Sequence, residues 1–122
     1  MGRITRFWQS LTTAFLGVVY VVRIERNARL HLIAAVIALT LGVVLGISNA
    51  DLAAIFFAII LVFTSEIVNT ALEKTLDLIE PQHSAQVRIV KDIAAGAVLV
   101  TAIGALAIGA AIFLPYIEDL LF

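Results

Sequence analysis

The sequence predicts an all-α integral membrane protein, with an N-terminal amphipathic surface helix followed by three transmembrane helices. Three observations carry this. Hydrophobic residues make up 62% of the 122-residue chain and charged residues only 14%, against about half and about a quarter in a soluble domain. A chain this short has too little interior to hide that much apolar side chain from water. Long stretches carry no charge, and all eight basic residues fall into two regions. An ordinary soluble enzyme is therefore excluded. Disorder is excluded too, because the chain is apolar and its net charge is only −1. With no cysteine there is no disulfide frame, no thiolate nucleophile and no cysteine-based metal site.

The surface helix covers residues of about 4–22. Ile4, Phe7, Trp8, Leu11, Phe15, Val18, Val19 and Val22 recur at helical spacing, while Gln9, Ser10, Thr13, Gly17 and Tyr20 fall opposite them. Trp8, Arg3 and Arg6 suit a membrane interface. The first span covers about 28–48, where Leu30 to Ala50 holds no acidic residue, lysine or arginine. A spanning helix needs about 20 mostly apolar residues. The second span covers about 51–79 and qualifies only by carrying Glu66 and Glu73 within or at the edge of the bilayer. The third covers about 86–116, with Ile93 to Ile117 uncharged. Between the spans, Ser48-Asn49-Ala50-Asp51 reads as a tight turn in which Asp or Asn caps the next helix. Pro81 ends the second span, within Glu80-Pro81-Gln82-His83-Ser84.

Topology follows from the basic residues. Arg3, Arg6, Arg23, Arg26 and Arg29 precede the first span, and Lys74, Arg88 and Lys91 surround the second turn. Basic residues favour the cytoplasmic side, so the N-terminus and the second turn are expected inside. The C-terminus, with Glu118 and Asp119, is expected outside a membrane crossed three times.

Charged residues inside membrane helices are costly and usually functional. Glu66, Thr70, Glu73 and Asp77 project within about 60° of one another on a helix, with Asn69 at the border of the stripe. Counting about 1.5 Å per residue from Asp51, Glu66 lies about 22 Å across the bilayer and Glu73 about 33 Å. Glu25, Lys91 and Asp92 fall near the same membrane surface. Carboxylates crowded together repel unless a cation or proton intervenes. Oxygen ligands of this kind suit Mg²⁺, which often binds one or two carboxylates plus substrate phosphates. A carboxylate away from bulk water is a stronger proton acceptor than a solvated one, which suits Glu66 to act as general base for a hydroxyl in the inner leaflet. Together these point to phosphoryl transfer from a cytoplasmic Mg-nucleotide to a lipid alcohol. No G-x-x-x-x-G-K-[ST] phosphate cradle is present.

Each feature also has a purely structural reading. Glu66 with Asn69 is compatible with a protonated packing pair, and Glu73, Lys74, Asp77 and Glu80 with a solvated helix end. Lys91-Asp92 fits a helix start with a snorkelling lysine. His31 and His83 are more often interfacial or turn residues than ligands. Gly42 to Gly46 and Ala105 to Gly109 read as small-residue faces for helix packing. The convergence of the charges at one depth favours the functional reading of the group.

Glu66-Ile67-Val68-Asn69-Thr70-Ala71-Leu72-Glu73, then Asp77, then Lys91-Asp92, resembles the prokaryotic diacylglycerol kinase family, which includes the undecaprenol kinases. The likeness covers nearly the whole chain. It implies a homotrimer of three-span subunits, with sites at subunit boundaries near the cytoplasmic face. It implies Glu66 as general base and Asn69 as the residue that orients it. Glu25 and Glu73 would bind Mg²⁺ and, through it, the nucleotide phosphates. Lys91, Asp92, Asp77, Arg6 and the Gln82-His83-Ser84 turn would contact ATP. Glu66, Val62, Phe63, Ala95, Val98 and Leu99 would meet the lipid. Glu25-Arg26-Asn27-x-Arg29-x-His31 and Ile112-Phe113-Leu114-Pro115 resemble the Gram-positive branch, which mostly phosphorylates undecaprenol. The diacylglycerol branch usually has an acidic residue where His31 stands, and diacylglycerol is the alternative substrate. No nucleic-acid partner is expected. A small proton-coupled transporter or channel subunit is a third possibility, but it needs a polar path to both faces. The outward halves of the spans offer little beyond Thr40, Ser48 and Thr101.

Overall fold

The computed structural model describes residues 2–122 and consists, among them, of four helices: α1 (Arg3–Ile24), α2 (Arg26–Leu45), α3 (Asn49–Ile79) and α4 (Ala85–Leu121). All four are long and apolar enough to cross a membrane, and α1 is the least apolar. Length and composition therefore do not separate α1 from the three expected spans. At about 1.5 Å per residue, α3 and α4 exceed the roughly 30 Å of a hydrocarbon core and extend beyond it.

The surface is that of a membrane protein. Large apolar side chains such as Ile33, Val44, Phe57, Val100 and Leu106 lie exposed along the helices. Much of what is buried on α2 is small: Ala28, Ala35 and Gly42 recur every seven residues, and Ala58 is buried on α3. Small residues let helices approach closely where no hydrophobic drive from water operates. α3 is the central element, packed along α4 on one side and α2 on the other.

The connections are closed by specific contacts. Arg29 donates from one guanidinium nitrogen to the carbonyls of Val22 and Arg23, at 3.1 and 2.8 Å. It thereby satisfies carbonyls that a helix end leaves without partners. α2 ends at Leu45, short of residue 48, because Gly46 adopts a left-handed conformation at φ 64° and caps it. Ser48 rather than Asp51 or Asn49 caps α3, its hydroxyl accepting from the Asp51 N–H at 3.1 Å. Asp51 instead sits in the first turn, where a negative charge suits the helix dipole. The Tyr116 hydroxyl donates to Asp51 Oδ2 at 3.2 Å and accepts from the Ser48 N–H at 3.3 Å. α4 continues through Pro115 to Leu121, past the residue at which the third span was expected to end.

The Gly42–Gly46 segment divides: Gly42 is buried, and a methyl group there would lie 2.9 Å from Ile47 Cδ1 in the following turn and 3.6 Å from Leu52 Cδ1 on α3, whereas Gly46 caps α2.

Candidate functional site

α3 buries its polar stripe only in part. Glu66 and Thr70 are each 2% exposed, while Glu73 and Asp77 are half-buried nearer the helix end. Thr70 turns its hydroxyl back onto the Glu66 carbonyl at 3.0 Å, which fixes its side chain. Asn69 donates from Nδ2 to Glu73 Oε1 at 3.4 Å. Two buried acceptors are left over: Glu66 Oε2 and Asn69 Oδ1 have no hydrogen-bond partner within the chain. Such orphans are rare in folded proteins, because each forfeits its hydration without compensation.

Both residues line a cavity of about 340 Å³. Its opposite wall is α4, which supplies Ala95, Val98, Leu99 and Ala102, and α2 closes it with Asn27, Leu30 and His31. His31 Nε2 lies 3.8 Å from Glu66 Oε2. A second, apolar groove of about 550 Å³ runs between α2, α3 and α4, lined by Ala38, Ile55, Val62, Phe63, Ala105 and Gly109 among others. His31 and Ala102 line both spaces, so the two adjoin.

The lipid-side expectations thus divide. Ala95, Val98 and Leu99 share the cavity with Glu66, whereas Val62 and Phe63 face the adjoining groove. Glu25 stands at the corner between α1 and α2, its backbone N–H bonded to the Val21 carbonyl at 2.8 Å. It and Glu73 are close enough for their charges to act on Glu66.

Towards the α3–α4 turn lies a separate polar group. Lys91 Nζ donates to Asp77 Oδ1 at 2.6 Å, and His83 Nδ1 is 3.8 Å from the same oxygen. Ser84 is committed to the fold: its hydroxyl caps α4 by accepting from the Val87 N–H and donates to Glu80 Oε2 at 2.9 Å. His83 holds a left-handed backbone at φ 53° in the turn, with Gln82 exposed beside it. Asp92 is exposed, and Arg6 is exposed on α1 with Gln9, Ser10 and Thr13, outside the Glu66 cavity. Among the described residues, no three acidic or histidine side chains cluster as a ready-made metal site.

Sequence reasoning singled out His31 and Asn27 only as markers of resemblance and did not place them, or Ala102, at the site. A lone histidine near a membrane interface carries little information. A signal was nevertheless present: His31 falls three residues after Ala28 and four before Ala35, on the face that α2 buries.

A family model described as prokaryotic diacylglycerol kinase matches residues 12–113. The chain is 39% identical over 114 residues to an undecaprenol kinase of Bacillus subtilis, covering 93% of each chain. It is 35% identical over 113 residues to a diacylglycerol kinase of Synechocystis, covering 92% of this chain and 65% of that one. The glutamate-bearing α3, its cavity and these matches converge: the chain belongs to the prokaryotic diacylglycerol kinase family and is a membrane-bound lipid kinase.

Proposed function

We propose that the chain phosphorylates undecaprenol, transferring the γ-phosphoryl group of ATP to the lipid hydroxyl at the cytoplasmic side of a bacterial plasma membrane. The observation that carries this reading is the pair of buried acceptors, Glu66 Oε2 and Asn69 Oδ1, lining one cavity without a donor. A lipid hydroxyl brings the donor that Glu66 Oε2 lacks. Glu66 takes its proton as the oxygen attacks phosphorus, and Asn69 orients the base. Val98, Leu99 and Ala95 form an apolar wall for the chain behind the hydroxyl. That wall suits an isoprenoid, which has no polar group below its alcohol, better than two ester groups. The extensive likeness to an undecaprenol kinase supports the same choice.

The donor set also fits Mg²⁺. Glu25 and Glu73 are two carboxylates near Glu66, and Mg²⁺ commonly takes one or two carboxylates together with substrate phosphates. When bound, the ion neutralises charge on the transferring phosphoryl group. Lys91 and Asp92, with Asp77, Arg6, Gln82, His83 and Ser84, serve the nucleotide. In this reading α1 lies on the cytoplasmic surface, α2 to α4 span, and the C-terminus is outside. The molecule works as a homotrimer, as the family resemblance implies, and such an interface would also shelter charged side chains from lipid.

The test is purified protein in mixed micelles with Mg-ATP and either undecaprenol or diacylglycerol. A higher kcat/KM for undecaprenol is expected. The reverse ranking by about tenfold, or roughly 1.4 kcal/mol of transition-state discrimination, would assign the chain to diacylglycerol.

A further inference from the structure

A buried base has a second task besides accepting a proton: it must lose that proton before the next turnover. Glu66 is 2% exposed, and its Oε2 has no hydrogen-bond partner within the chain. The charged and titratable groups that face it are few. α2 supplies His31, the corner of α1 and α2 supplies Glu25, and α3 itself supplies Glu73. α4 offers only Ala95, Val98, Leu99 and Ala102 to the cavity. Asn69 neither gains nor loses a proton near neutral pH. Among the described residues, His31 is the one basic side chain in ion-pair range of Glu66, and its side chain is 24% exposed against 3% for the glutamate.

We propose that His31 is the positioning residue of Glu66, taking over the hydroxyl proton and releasing it to water. The proposal rests on the reading of Glu66 as base. In the step, the lipid O–H bond breaks as its oxygen bonds to the γ-phosphorus. The bond from that phosphorus to the bridging oxygen of the nucleotide breaks, and ADP leaves with the electron pair. The proton passes to Glu66 Oε2, then to His31 Nε2, then to water, and both side chains return to their starting state. At 3.8 Å the two atoms are not yet hydrogen-bonded. A side-chain rotation of about 1 Å brings them into range, and catalytic hydrogen bonds commonly tighten only once substrate is bound. Histidine suits the role because its proton exchanges near neutral pH.

The experiment compares His31→Gln, His31→Ala and Glu66→Gln with the unaltered protein in the same lipid micelles, measuring kcat, both KM values and the pH profile. Retained detergent monodispersity and nucleotide binding show that each variant is folded. His31→Gln is expected to lower kcat by about tenfold or more, less than the roughly 10²–10⁴ of losing the base itself, with both KM values unchanged. Its pH profile is expected to shift. Added imidazole is expected to restore turnover in His31→Ala, in the space the ring vacates, and not in Glu66→Gln. Unchanged kcat in His31→Gln, or a raised lipid KM alone, would overturn the relay. If His31→Ala falls in kcat but imidazole fails to restore it while the pH profile stays fixed, the relay is likewise overturned. Normal turnover in Glu66→Gln would instead overturn the base, which separates the two failures.

Discussion

Glu66 and Asn69 each present an acceptor to one cavity, and only a few neighbours can answer them. The carboxylates outside that cavity have a different task in the proposed reaction. Glu25→Gln or Glu73→Gln removes one charged oxygen donor while keeping the side-chain size. Each variant should therefore need more Mg²⁺ for half-maximal rate, as a titration of activity against Mg²⁺ would show. Unchanged dependence in both would move the metal elsewhere. Much of this scale was legible in the sequence. Glu66, Thr70, Glu73 and Asp77 form a stripe because helical spacing alone puts them there. Which of them is deeply buried was not legible, since that depends on how α2 and α4 flank α3. Nor was His31, whose meaning comes from a partner on another helix. The pairing of Lys91 with Asp77 was hidden for the same reason: it closes a turn between two helices.

At the scale of elements, the turns hold the helices in register. Gly46 caps α2 at φ 64°, a conformation that costs a residue with a side chain about 1–2 kcal/mol. Gly46→Ala should lower the thermal stability of the detergent-solubilised protein by that order, without changing KM. Tyr116→Phe should cost a similar amount, about 1–2 kcal/mol, because it deletes one hydrogen bond to Asp51 and one from the Ser48 N–H. The same melting experiment measures both, and Tyr116→Phe melting as the unaltered protein does would show the latch to be idle. Helix existence was readable from uncharged stretches, and helix ends less so. Asp51, Asn49 and Ser48 are all competent caps, and only the backbone conformation selects Ser48. Likewise Gly42 and Gly46 match a helix-packing spacing, yet only Gly42 lies against its neighbours, and Gly46 serves as the cap of α2.

The whole molecule is asymmetric. Its unpaired buried acceptors lie in the half of α3 nearer the α3–α4 turn, and the opposite end is held by the Ser48–Asp51–Tyr116 contacts. One face for chemistry and one for anchoring is what a lipid kinase requires, and a conduit would need polar groups along its full length. In mild detergent the protein should behave as a homotrimer by light scattering. An active monodisperse monomer would refute that. Mixing Glu25→Gln subunits with Glu73→Gln subunits should restore some of the activity each lacks at limiting Mg²⁺ if a site draws on two copies. The central claim, that Glu66 removes the lipid hydroxyl proton, is tested most directly by one comparison: transfer of the γ-phosphoryl group from ATP to undecaprenol by the unaltered protein and by Glu66→Gln, at matched nucleotide occupancy. The account predicts a loss of about 10²–10⁴ in kcat with nucleotide binding intact, and near-normal transfer by Glu66→Gln would contradict it.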